Sequence, residues 1–141
     1  MGAARVIVTD EQDLAKEVLG ITGGKGARMV FDPVGGPIFA KLMQATAKLG
    51  IVFLYGALSP ESTPLPLFDV LGKWITIRGY VLMEITSDPK RLERAKKFVN
   101  DGLADGSFKP LIAKTFPLEK IVEAHRYLES NQQIGKIVVT V

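Results

Sequence analysis

From Ile51 to Tyr55 the chain runs through apolar and aromatic side chains without a charge or a polar alternation. A strand with one face in water alternates, so an unbroken run of this length reads as a strand of a parallel sheet covered on both faces. Parallel neighbours cannot be joined by tight hairpins and need crossover segments, usually helices. The flanking sequence supplies candidates on both sides.

Ahead of that run, Arg5 to Thr9 is a β-branched stretch that predicts a first strand. Asp10 then caps a helix carrying Leu14, Val18 and Ile21, which Gly23, Gly24 and Gly26 terminate. Ala27 to Phe31 predicts the next strand. It passes through Asp32, Pro33, Val34, Gly35 and Gly36 into a helix with Pro37 in its first turn, Ile38, Leu42, Ala45 and Leu49 on one face, and Gly50 at its end.

Beyond the apolar run, Ser59 to Pro66 is proline-rich and predicts a loop. A short helix around Leu67 to Leu71 follows, then a strand from Ile75 to Leu82 interrupted at Gly79. Asp88 and Pro89 open a helix whose inner stripe is Leu92, Ala95, Val99 and Leu103. After Gly106 the pattern predicts a strand at Leu111 to Phe116, a helix at Pro117 to Ser130 and a last strand at Lys136 to Val141. Alternation of this kind predicts an α/β fold with parallel pairing and right-handed crossovers, in which ligands sit beyond the carboxyl ends of the strands.

Composition narrows the function classes. In 141 residues, 47% apolar and 23% charged is a globular balance, and no apolar run approaches the ~18 to 20 residues that cross a bilayer. A cytoplasmic address without membrane partners is the expectation. There is no cysteine and one histidine, so disulfides and thiolate metal ligands are excluded within these residues, and no metal site is expected. The net charge of +3 comes from basic residues interspersed with acidic ones, as at Lys90, Arg91, Glu93, Arg94, Lys96 and Lys97. That pattern is a solvated helix face rather than a nucleic-acid surface.

Several motifs are candidates for chemistry. Gly20 to Gly26 contains Lys25 but has the wrong spacing for a phosphate loop and closes a helix instead of opening one. Asp32 to Gly36 ends a strand in a glycine-rich turn, which either lets a planar ring or phosphate approach the backbone or serves only as a tight connection. Tyr55, Gly56 and Ala57 end the neighbouring strand. Asp32 itself either accepts a hydrogen bond from a ribose or caps the turn after it. His125 falls on the stripe with Leu118, Ile121 and Val122, which predicts a core histidine rather than a base, and no catalytic residue is identified in the chain.

Taken in order, Phe31-Asp32-Pro33-Val34-Gly35-Gly36, Arg78-Gly79-Tyr80, Thr115-Phe116-Pro117-Leu118-Glu119, Ala124-His125-Arg126 and Gly135-Lys136 resemble the quinone oxidoreductase branch of the medium-chain dehydrogenase/reductase superfamily. The likeness runs from Gly2 to Val141. It implies a partial Rossmann-type parallel sheet lacking its first two strands, plus a C-terminal strand-helix-strand segment. Residues 1–106 would belong to the dinucleotide-binding domain and residues 107–141 to the return into the catalytic domain.

The resemblance also implies a hydride transfer from NADPH to a quinone, enone or enal, with the zinc-dependent alcohol dehydrogenases as the rival branch. A non-catalytic dimerisation and nucleotide-edge module is the rival from another class. By the resemblance, Asp32, Pro33, Val34, Gly35, Tyr55, Gly56 and Ala57 flank the nicotinamide and its ribose. Tyr80, Val81 and Leu82 meet the carboxamide mainly through backbone groups. Lys136 either approaches the cofactor phosphates or faces solvent. A homodimer through the Ile75 to Leu82 strand is implied as well. The chain departs from the family at Thr9, where a tyrosine is frequent, and at Asn131, where an arginine is, so NADH stays open beside NADPH. It contains no G-x-G-x-x-G.

Overall fold

The computed structural model describes residues 2–130 and 132–141, so the departure at Asn131 lies outside the described residues. The chain forms two compact units that meet in sequence at Thr86 and Ser87. The first contains α1 (Leu14–Ile21), β1 (Ala27–Asp32), α2 (Ile38–Ala45), β2 (Thr46–Leu54), α3 (Leu67–Lys73), β3 (Thr76–Gly79) and α4 (Met83–Thr86). The second contains α5 (Pro89–Ala104), β4 (Ile112–Pro117), a 3-10 turn at Leu118–Lys120, α6 (Ile121–Glu129) and β5 (Lys136–Thr140). This is the α/β class with parallel pairing expected from the alternation.

In the first unit the sheet order is β1-β2-β3, and both pairings are parallel, with Val30 opposite Val52 and Val52 opposite Ile77. Because the order advances in one direction and parallel crossovers are right-handed, α2 and α3 must fall on the same face. The core forms there. Phe39 and Met43 of α2 pack with Val52 and Ile75, and Val30, Leu42, Leu54, Val70 and Ile77 surround them. Lys73 ties the two helices by donating to the carbonyls of Met43 (3.0 Å) and Gln44 (2.7 Å), the unpaired end of α2. The other face, expected to be covered, is open: Phe31 is 61% exposed and stacks on Phe53 with ring centroids 5.1 Å apart.

Four local expectations are corrected. Arg5 to Thr9 forms no strand, and Val6 is exposed; a strand exists only through its ladder, and β1 pairs with β2 alone. The cap of α1 is Asp13, whose Oδ1 accepts from the Lys16 N–H at 2.8 Å, because Asp10 stands a full turn too early. The second helix stops at Ala45, and Leu49 sits at φ +60 within β2, largely exposed, where the β1–β2 register slips. The fourth strand stops at Gly79, so Val81 and Leu82 lie past its end and are exposed.

The second unit follows its sequence signals more closely. Asp88 caps α5 through bonds from the Lys90 and Arg91 N–H groups, with Pro89 in the first turn. The intended inner stripe of α5 is only partly covered, with Val99 and Leu103 exposed. The buried point is instead Gly102, over which the Phe108 ring lies. β4 and β5 pair in parallel with α6 between them, and Phe116 and Ala124 are buried.

Met43 is fully buried at the centre of the first unit. Met43→Ala is expected to remove about 2 to 5 kcal/mol of stability. Urea unfolding followed by circular dichroism checks this, and an unchanged midpoint contradicts the placement of the core.

Candidate functional site

The carboxyl ends of β1 and β2 are joined by more than their ladder. The Tyr55 N–H donates to the Asp32 carbonyl (3.0 Å), the Leu58 N–H to the Pro33 carbonyl (3.3 Å) and the Ser59 N–H to the Val34 carbonyl (2.9 Å). The Tyr80 N–H donates to the Leu54 carbonyl (3.0 Å), which brings the end of β3 alongside. Three strand ends thus form one edge, as parallel strands require.

Asp32 stands at the centre of this edge, 2% exposed. Its Oδ1 accepts from the N–H groups of Val34 (2.8 Å) and Gly35 (3.1 Å), the turn-capping arrangement that the sequence offered as one of two roles. Its Oδ2 is buried with no hydrogen-bond partner. Leaving a carboxylate oxygen unpaired is costly, so this atom is the polar position at the edge most in need of a donor. Gly35 and Gly36 follow at φ +67 and +65, a left-handed pair that turns the chain into α2.

Beside the turn lies a cleft of about 590 Å³, with Thr9, Asp10, Phe31, Asp32, Val34 and Lys41 on its walls. Val34, Tyr55 and Ala57 are exposed, while Gly56 is half-buried, because a side chain there would meet the Pro33 carbonyl. Val81 and Leu82 follow Tyr80, and their carbonyls accept from Glu84, Ile85 and Thr86 as α4 begins. Arg78 projects from β3, held by Glu84 at 2.6 Å and lying 5.8 Å from the Phe53 ring.

Thus ten of the eleven residues singled out as cofactor contacts lie in the first unit, from Asp32 to Leu82. The remaining one, Lys136, opens β5 in the second unit, where it is exposed and its N–H donates to the Leu111 carbonyl at 2.7 Å. His125 is not a core histidine: it is exposed and lines a groove of about 310 Å³ with Ile121, Leu128 and Lys136. The stripe it shares with Leu118, Ile121 and Val122 is exposed throughout, and the buried residue of α6 is Ala124. Residues that the sequence reading missed are Ser59 and Thr63, in the loop expected to be a plain connection. Thr63 Oγ1 accepts from the Gly36 N–H at 2.8 Å. A run of hydroxyl residues among prolines was the only sequence signal for them.

Comparison with known proteins is decisive for the family. A model described as zinc-binding dehydrogenase matches residues 1–139. The chain belongs to that family. It is quinone-oxidoreductase-like, within the medium-chain dehydrogenase/reductase superfamily. Among relatives it is 30% identical to a 2-haloacrylate reductase of Burkholderia, over 99% of this chain and 42% of that protein. A crystal structure of an NAD-dependent alcohol dehydrogenase aligns at TM-score 0.81 and 31% identity, over 99% of this chain and 38% of that one. Escherichia coli quinone oxidoreductase complexed with NADPH aligns at TM-score 0.81 and 27% identity, over 97% of this chain and 44% of that one. The chain therefore spans about two fifths of the length of the relatives it matches.

The family description names zinc, and the residues here do not fit it. The chain has no cysteine and one histidine, and no group of three His, Cys, Asp or Glu able to hold a metal occurs among the described residues. No helix among the described residues is long and apolar enough to cross a membrane.

A side chain at Gly56 would meet the Pro33 carbonyl, a backbone group that cannot move aside, whereas nothing lies near Gly72 in α3. Gly56→Ala is expected to destabilise by about 1 to 3 kcal/mol. Gly72→Ala is expected to stabilise by roughly 0.5 to 1 kcal/mol through helix propensity. Thermal denaturation of both variants compares them, and equal midpoints contradict the close approach.

Proposed function

We propose that the protein to which this chain contributes is a nicotinamide-dependent oxidoreductase, passing hydride from NADPH to a quinone or an activated alkene. This chain supplies the nicotinamide end of the cofactor site. The observation that carries the reading is the continuous edge formed by Asp32–Gly36, Tyr55–Ala57 and Tyr80, with the unpaired Asp32 Oδ2 at its centre. The relatives named above support it, because one is a reductase of an activated alkene and another is a quinone oxidoreductase complexed with NADPH.

In this reading Asp32, Pro33, Val34, Gly35, Tyr55, Gly56 and Ala57 hold the nicotinamide and its ribose, and Tyr80, Val81 and Leu82 the carboxamide. The cofactor supplies the hydride, and these residues orient it and keep water away. Residues 107–141 act as the return segment of the catalytic domain, and the setting is cytoplasmic. The alcohol dehydrogenase likeness favours a second reading, a zinc-dependent enzyme using NADH, whose ligands would come from outside these residues. Metal analysis of the whole protein, with quinone reduction measured in chelator, separates the two.

Of the parts a dinucleotide needs, this chain has the nicotinamide edge but no G-x-G-x-x-G turn for the pyrophosphate. Each lost charge-assisted hydrogen bond is worth roughly 1.5 to 3 kcal/mol. The isolated chain is therefore expected to give no saturable NADPH binding below about millimolar, near 4 kcal/mol, and no quinone-dependent oxidation. Titration calorimetry tests this. A micromolar dissociation constant, or turnover by the chain alone, would mean that the cofactor lies elsewhere.

β3 is an edge strand of its sheet, and an unpaired edge invites a second copy. A homodimer through β3 is the expected assembly. Light scattering at micromolar concentration checks it, and a monomer there contradicts it.

A further inference from the structure

The loop after β2 does not leave the edge but folds back over it. After the Leu58 and Ser59 N–H groups bond to the Pro33 and Val34 carbonyls, the chain returns at Thr63, whose Oγ1 accepts from the Gly36 N–H across 27 residues of sequence. The space is filled on that side. A side chain at Gly36 would strike the Ser59 hydroxyl, and one at Gly35 would come within 2.9 Å of Thr63 Oγ1.

The Asp32–Gly36 turn is therefore held from two directions. Asp32 Oδ1 takes the N–H groups of Val34 and Gly35 from within, and Thr63 takes the next N–H from outside. Without Thr63 the left-handed pair at Gly35 and Gly36 would keep its conformational freedom, which glycine has in greater measure than any other residue. A hydroxyl that accepts from Gly36 also has its own proton directed away from that N–H, and Thr63 is exposed.

We propose that Thr63 is a positioning residue: it fixes the buried Gly35–Gly36 backbone and thereby sets the Asp32–Val34 edge that meets the nicotinamide ring. This rests on the function proposed above and extends it to a residue outside the strand ends. Ser59 acts with it, filling the space beside Gly36.

The test uses the full chain, isotope-labelled, as wild type and as Thr63→Val, Thr63→Ala and Thr63→Ser. Hydrogen exchange is measured at the Gly36 amide, with the Val52 amide reporting on the core. Reduced nicotinamide mononucleotide, which needs no pyrophosphate turn, is titrated while the Gly35, Gly36 and Tyr55 amides are followed. Gly36 exchange is expected to rise about tenfold in the Val and Ala variants and to return in Ser, with Val52 unchanged. Mononucleotide affinity is expected to fall about tenfold in Val and recover in Ser. Unchanged Gly36 exchange in Val and Ala overturns the proposal, and so does equal affinity in wild type and Val. If wild type shows no response to the mononucleotide, the nicotinamide edge itself is lost, while the exchange data still decide whether Thr63 holds the turn.

Discussion

The bond from the Tyr55 N–H to the Asp32 carbonyl is where the β1–β2 ladder would ordinarily end, and here it continues. Two more backbone bonds, from Leu58 and Ser59, follow it past the ends of both strands. The consequence is mechanical. Loop backbone normally takes its hydrogen bonds from water and moves with it, but this backbone is paired with a strand end whose own position is fixed by a packed core. The turn at Gly35 and Gly36, the exposure of Val34 and Tyr55, and the seat of Thr63 all depend on that extension of the ladder.

What was legible in the sequence was what short-range physics dictates. Asp88-Pro89 opens α5, Gly23, Gly24 and Gly26 terminate α1, and the apolar Ile51–Tyr55 run became a central parallel strand. What failed depended on partners. Val6 to Val8 has β-branched side chains, yet propensity makes no strand without a ladder. Leu49 continued a helical stripe, but the chain had already turned into β2, and a residue four places past a helix end keeps its periodicity by chance. His125 shows the same limit for burial. Periodicity says which residues share a face, and only tertiary packing says whether that face is covered.

The candidate site divides along the same line. Asp32 to Gly36 and Tyr55 to Ala57 could be singled out because a strand ending in glycine is a local pattern with a known spatial result in parallel sheets. The pairing of Thr63 with Gly36 could not, since the two are separated by α2's whole crossover and a strand. The split role of Asp32 was half legible: an aspartate before Pro-Val-Gly suggests a turn cap, and Oδ1 fills that role. That its other oxygen would be buried without a donor depends on how tightly Asp32 is packed, which one sequence does not reveal.

One physical consequence follows from the way the edge is built. Along Asp32–Gly36 only Val34 is exposed, the glycine pair behind it is buried, and the single carboxylate gives its Oδ1 to the turn itself. That turn contributes to any chemistry through shape and orientation. Shape made from glycine is easily lost, because each left-handed residue has alternatives of similar energy. Rigidity then has to be imported, and here it comes from both sides of the turn: the Asp32 carboxylate below and the Thr63 hydroxyl above.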